Sequence, residues 1–326
     1  MTRTAIRQQQ KAASRPSETS RFMSWLGAGL ILLGLGTAAV ALLGPLMADV
    51  IRYHASEGAV NQVVGGDAAA LLLVAPVSII AGILTMRGEL AGLVLALGPA
   101  VYALYTYTQL ALGGDFVRYS GNSEQFFPLY LGLFVLAAAI AIRAWSTIDP
   151  ARLPTTSRRI DRTLGIFLLA IAAFLVVGLH LPGLIDAWRD QPTSTEYLAD
   201  PSVFWLVKQM DLGIVAPAMI GIGVGILRAA GWAHKAKYAA VGWFALLGSS
   251  VAGMAIVMQA TGDPAASTSN TVAFGLFAAV GLTIAVSVYR PLFQAGKEEL
   301  GTTVSSNPRD KRHLEHRADT TTSSQP

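Results

Sequence analysis

The sequence predicts an all-α integral membrane protein. Its eight transmembrane helices form by parallel duplication of a four-helix unit, with both termini cytoplasmic. Three observations carry this: a composition poor in charge, apolar runs of membrane length, and an internal repeat. Of 326 residues, 53% are hydrophobic and 13% charged, and the mean hydropathy is +0.50. A soluble domain carries about 25% charged residues. The apolar residues gather into runs over 22–49, 67–86, 90–112, 126–145, 163–185, 203–227, 238–260 and 271–289. A bilayer core needs about 20 such residues per helix. The runs are too long and too evenly apolar for barrel strands of about 10 alternating residues.

The repeat runs in one order through the chain. Pro45-Leu46-Met47-Ala48-Asp49 with Arg52 returns as Pro182-Gly183-Leu184-Ile185-Asp186 with Arg189. Val74-Ala75-Pro76 returns as Val215-Ala216-Pro217, Gly114-Asp115 as Gly262-Asp263, and Gly132-Leu133-Phe134 as Gly275-Leu276-Phe277. Each unit holds four spans, an even number, so both insert the same way up. This is a parallel repeat rather than an inverted one.

Residues 1–20 form a polar, basic amino-terminal tail that reads as disordered. The first unit occupies 21–148. Ala39-Val40-Ala41 in its first span resembles a small-x-small cleavage site. That span pairs with the fifth in the repeat, and the fifth cannot be a leader, so the first reads as retained. The second span carries Pro76, which removes a backbone donor and kinks the helix, leaving the Leu72 carbonyl to find another partner. The third has a mildly polar outer half with Tyr102, Tyr105, Tyr107 and Gln109, which reads as tyrosine anchoring at the interface plus hydrogen bonding between helices. A basic linker at 149–162 joins the units.

The second unit occupies 163–292. In its sixth span Pro217 repeats the kink, and Gly221-x-x-x-Gly225 predicts close approach of another helix. Gly221 to Gly225 lacks dinucleotide-binding spacing and follows no strand. The tail at 293–326 reads as disordered, and its His313 and His316 as solvated residues rather than a metal site.

Charge sets the orientation. With the termini inside, the basic residues facing the cytoplasm are Arg3, Arg7, Lys11, Arg15, Arg21, Arg87, Arg143, Arg152, Arg158, Arg159, Arg162, Arg228, Lys235, Lys237, Arg290, Lys297, Arg309, Lys311, Arg312 and Arg317. Arg52, Arg118, Arg189 and Lys208 remain outside. That partition follows the positive-inside rule and points to the plasma (inner) membrane. It also accounts for the basic pI without a nucleic-acid partner. The absence of cysteine excludes disulfides, thiolate metal sites and cysteine nucleophiles.

The candidate ligand-binding residues are Asp67, Lys208 and Asp211, with Pro76 and Pro217 shaping the site. Lys208 and Asp211 are three apart and share a helix face, so they can pair. The repeat alignment sets Asp67 opposite Lys208. Ionisable residues within a span are a functional hypothesis by default. The outer loops are acidic, and 51–66 and 187–202 are long enough to form a lid. No calcium loop, metalloprotease, hydrolase or other catalytic motif is present. His54 and His180 lack the matched depth that axial haem ligands need. No metal or cofactor is implied. The leading reading is a multipass protein handling a small solute or cation at an outward-facing site where the units meet, near the aligned prolines. The alternatives are a scaffold binding a membrane protein partner, and a membrane enzyme acting on lipid or quinone.

Overall fold

The computed structural model describes the backbone of residues 18–305 and the side chains of residues 21–294. The His313/His316 pair and most of both tails lie outside these. Among the described residues the chain is all helical, without strands. Eight helices are long and apolar enough to cross a membrane. They are α1 (Arg21–Leu43), α2 (Glu57–Met86), α3 (Leu90–Leu112), α4 (Ser123–Thr147), α5 (Arg158–Ala187), α6 (Pro201–Leu227), α7 (Gly231–Thr261) and α8 (Thr268–Gln294). The helix of α8 continues to Ser305. We call the end where α1 begins the terminal end, and the other the far end.

Several boundaries differ from those the hydropathy predicts, for local reasons. Gly44-Pro45 stops α1 at Leu43. Ser56 caps α2 by accepting from the Ala59 amide at 3.2 Å, so α2 starts ten residues before Asp67. Asp67 therefore sits inside a helix, and most of 51–66 is helix rather than lid. Ser157 caps α5 in the same way. The segment 149–162 is docked on the start of α7. Lys237 pairs with Asp161 at 3.0 Å, Tyr238 donates to the Pro154 carbonyl at 2.7 Å, and Lys235 donates to the carbonyls of Trp145 and Ile148.

The prolines do more than kink. A π-turn precedes each of three of them: Ala70–Val74 before Pro76, Phe174–His180 before Pro182 and Asp211–Val215 before Pro217. In each case the residue just before the proline bonds five residues back: Ala75 to Ala70, Leu181 to Val176 and Ala216 to Asp211. The wider turn makes room for the ring while keeping backbone donors occupied.

The first four helices close on one another. Gly27 of α1 lies against the Gly82 carbonyl of α2, and Ser78 donates to the Leu30 carbonyl at 2.9 Å. Helices α2 with α3, α3 with α4 and α1 with α4 also pack. In the last four, α5 packs on α6 through Gly165 and Gly223, and α7 packs on α8. Between these pairs, α6 touches α7 only lightly and α5 barely meets α8.

Helix α7 joins the two sets. Its Gly253 meets Gly65 of α2 backbone to backbone, its Gly242 meets Gly98 of α3, and Ser250 bonds Tyr102 at 3.1 Å. The two sets thus meet chiefly through α7 against α2 and α3, not at the two proline helices. The predicted glycine stripe in α6 makes contact at one end: a Cβ on Gly221 would meet nothing, but Gly225 lies against Trp232 and Ala233 of α7, and Gly223 between them faces the Gly165 backbone.

These contacts predict an asymmetry between glycines. Gly65→Leu forces its side chain into the Gly253 backbone and should lower the melting temperature sharply, at a cost above the roughly 1–3 kcal/mol of ordinary overpacking. Gly221→Leu should melt as wild type. Size-exclusion thermal melts in detergent read both, and equal behaviour of the two variants would contradict the α2–α7 contact.

Candidate functional site

Where the last two helix pairs part, a cavity of about 570 Å³ opens at the far end. Its walls come from α5, α6, α7 and α8, with Gln62 of α2 and Tyr105 and Gln109 of α3 closing one side. Two π-turns deliver its most polar residues. His180 ends the turn in α5, and Asp211 begins the turn in α6. π-turns recur at functional sites because they re-aim side chains within a helix.

Asp211 is 7% exposed, His180 and Lys208 each 3%. The Asp211 carboxylate accepts from Tyr105 Oη at 2.6 Å on one oxygen and from His180 Nε2 at 2.8 Å on the other. A carboxylate can only accept, so this bond places a proton on Nε2. His180 Nδ1 is buried and has no hydrogen-bond partner among the described residues. Lys208 Nζ lies 3.4 Å from the centre of the Phe204 ring, a cation–π contact, and 3.7 Å from Glu196. Sequence spacing suggests a Lys208–Asp211 pair; the structure instead gives Asp211 to His180 and Tyr105, and Lys208 to Phe204 and Glu196.

Glu196 belongs to a one-turn helix, Thr195–Ala199, that Ser194 caps. This part of 187–202 covers the mouth and is tied down from both sides. Asp186 accepts from the Thr193 and Ser194 amides at 2.8 and 2.7 Å, and pairs with Arg189 at 3.3 Å. Arg118 donates to the Leu198 and Ala199 carbonyls at 2.6 and 2.8 Å. Asp200 accepts from the Ser56 amide at 2.9 Å and from its hydroxyl.

Asp67 lies elsewhere. It is 7% exposed, beside Gly44, with Tyr53, Tyr107 and Tyr130 around it in the core of the first four helices. Its Oδ2 has no hydrogen-bond partner among the described residues, and the hydroxyls of Tyr53 and Tyr130 face each other. No cation there pairs with it, so the Asp67–Lys208 contact that the repeat alignment suggests is not formed. Pro76 shapes the packing of α2 on α1, and Pro217 the wall that carries Asp211.

His54 sits at the mouth, bonded to the Tyr119 carbonyl at 2.7 Å and to Glu124 at 2.6 Å. Burial opposes its charge, but these two bonds outweigh it and hold its pKa above the usual histidine value. Spacing pointed to neither His180 nor Tyr105 as a partner of Asp211, because the three come from different helices. No group of three or more His, Asp or Glu able to hold a metal gathers among the described residues. No protein-family model, curated protein or solved structure matches the chain.

The two buried carboxylates should respond differently to replacement. Asp211→Ala strands His180 and Tyr105 and should cost about 3–5 kcal/mol, as breaking a buried pair does. Asp67→Asn removes a carboxyl that no cation balances, so its melting temperature should hold or rise. Thermal melts of the two variants check the contrast. The mouth should respond to pH. A raised His54 pKa stabilises the fold fully below about pH 6.5, its value in the unfolded chain, and the gain is lost as pH rises through the higher folded value. Hydrogen-exchange protection of residues 113–122, taken relative to the intrinsic exchange rate at each pH, should therefore be greater at acid than at alkaline pH, and His54→Gln should abolish the difference.

Proposed function

We propose that the chain is a multipass protein of the plasma membrane, with cytoplasmic termini, that holds a small ligand in a cavity open to the outside. The observation that carries this is the burial of His180, Lys208 and Asp211 in the wall of one roomy cavity. Ionisable groups inside a membrane span are costly, and those facing a cavity mark a ligand path. The volume falls within the roughly 300–1,000 Å³ of small-molecule sites.

The orientation is supported by charge. Arg87, Arg228, Lys235, Lys237 and the basic segment 149–162 lie at the terminal end, whereas the cavity mouth lies at the far end. The duplication is supported by two matched devices. Gly27 with Gly82 and Gly165 with Gly223 make equivalent close approaches, and the π-turns before Pro76 and Pro217 occupy equivalent positions.

Two experiments test the reading. The chain has no cysteine, so single cysteines can be placed without background. Asn270→Cys at the mouth should react with a membrane-impermeant thiol reagent in intact cells, and Ala229→Cys only after permeabilisation. The reverse pattern would overturn the orientation. Small molecules extracted from purified wild type should include one depleted in Val251→Trp, which fills the cavity; identical extracts from folded proteins would overturn ligand holding.

A further inference from the structure

We infer that the ligand is a single-tailed amphiphile taken from the membrane, with an uncharged head bearing hydroxyl or carbonyl oxygens. This rests on the reading of the cavity as a ligand site and names the class of ligand. Three features of the cavity lead to it.

First, its lining is segregated. Tyr105, Gln109, His180, Lys208 and Asp211 stand toward the far end, whereas the inner part is walled by Phe167, Ile171, Met219, Phe244, Phe277 and Gly281. A hydrophilic solute would leave this inner wall facing water. An apolar tail buries it, at about 25 cal/mol per Å² removed from water.

Second, the cavity has a thin side wall. Helices α5 and α8 barely meet, and the gap between them is filled by rings. Phe174 lies 6.0 Å from Phe274 and 5.2 Å from Phe277, centre to centre. All three are half-buried and line the cavity. In the first four helices α1 and α4 meet directly, with Gly36 against Leu133 and Gly29 against Leu136 and Ile140. Ring rotation suffices to admit a flexible chain from the lipid between α5 and α8; no backbone contact has to break.

Third, the polar end has no unclaimed charge. Lys208 Nζ lies 3.7 Å from Glu196 with Asp211 further off, and both Asp211 oxygens are occupied by Tyr105 and His180. An added anion would compete with Glu196 for Lys208, an added cation would sit beside Lys208, and either would carry a desolvation penalty. The capacity that remains is for neutral hydrogen bonds. Lys208 Nζ has three donors and only Glu196, whose side chain is 51% exposed, as a carboxylate neighbour. His180 Nδ1 is buried without a partner among the described residues. A head with oxygens that accept from Lys208 and a hydroxyl, which can donate or accept, at His180 Nδ1 complements both.

The test uses the full chain in nanodiscs and tritiated 1-oleoylglycerol as probe. Saturable binding is expected, unaffected by excess glycerol, with oleate at least about tenfold weaker. Lys208→Met should weaken binding by about tenfold, the value of one hydrogen bond near 1.4 kcal/mol. Gly281→Phe shortens the inner slot without touching the head. It should lose the oleoyl probe yet keep 1-lauroylglycerol, which holds the proposal to account even if Lys208→Met does not fold. Oleate binding as tightly as the probe overturns the uncharged head. Competition by glycerol, or no effect of Gly281→Phe on chain length, overturns the tail. If the probe does not bind but Val251→Trp still depletes a polar molecule, the amphiphile is wrong and the cavity reading stands. If neither occurs, both fail.

Discussion

Inside a bilayer no water is available to complete a backbone hydrogen bond, and this chain is organised by how it meets that demand at its prolines. Three of the X-Pro steps inside helices, at Pro76, Pro182 and Pro217, come after a turn whose bond reaches back five residues rather than four. The extra residue rotates the remainder of the helix by about 100° round its axis. Asp211 and His180 lie at the two ends of such turns and meet across α5 and α6. The polar site is thus a consequence of keeping the backbone satisfied where proline removes a donor.

The same device has different results in the two sets of helices. Before Pro76 the π-turn begins at Ala70, and α2 closes on α1 through Gly34 and Gly82. Before Pro217 it begins at Asp211, and the outer face of the turn is left open, with nothing near Gly213. Helix α7 is committed to α2 and α3 by its glycines, so it cannot also close on α6. The space left is the cavity. Rigid packing on one side of α7 and loose packing on the other are therefore linked, because one helix has a limited face to share.

Much of the fold was legible in sequence, since apolar length and low charge depend on composition alone. All eight spans lie where hydropathy set them, with ends moved by Gly44-Pro45 and by the Ser56 and Ser157 caps. The site was legible in part. Asp211 and Lys208 stood out because they are ionisable residues in a span. Their partners did not, because His180, Tyr105 and Glu196 reach them from other elements. Asp67 stood out for the same reason as Asp211 but lies in a separate core. Nor does proline alone forecast a π-turn, since Pro99 sits inside α3 without one.

Stability alone does not account for the charges in the cavity wall. Replacing a buried ionic group by well-packed apolar residues is often neutral or stabilising, so stability alone does not call for Lys208, Asp211 and His180 there. A bilayer raises the cost of each further. The tie of Asp211 to both His180 and Tyr105 fixes the imidazole and leaves its other nitrogen unspent. Lys208 is likewise held by a ring face and a distant carboxylate rather than by a full set of acceptors. At the mouth Asp186 closes its own hydrogen bonds with Thr193, Ser194 and Arg189. The network in the cavity stops short of closure at Lys208 Nζ and His180 Nδ1, the two positions that the proposed head would complete.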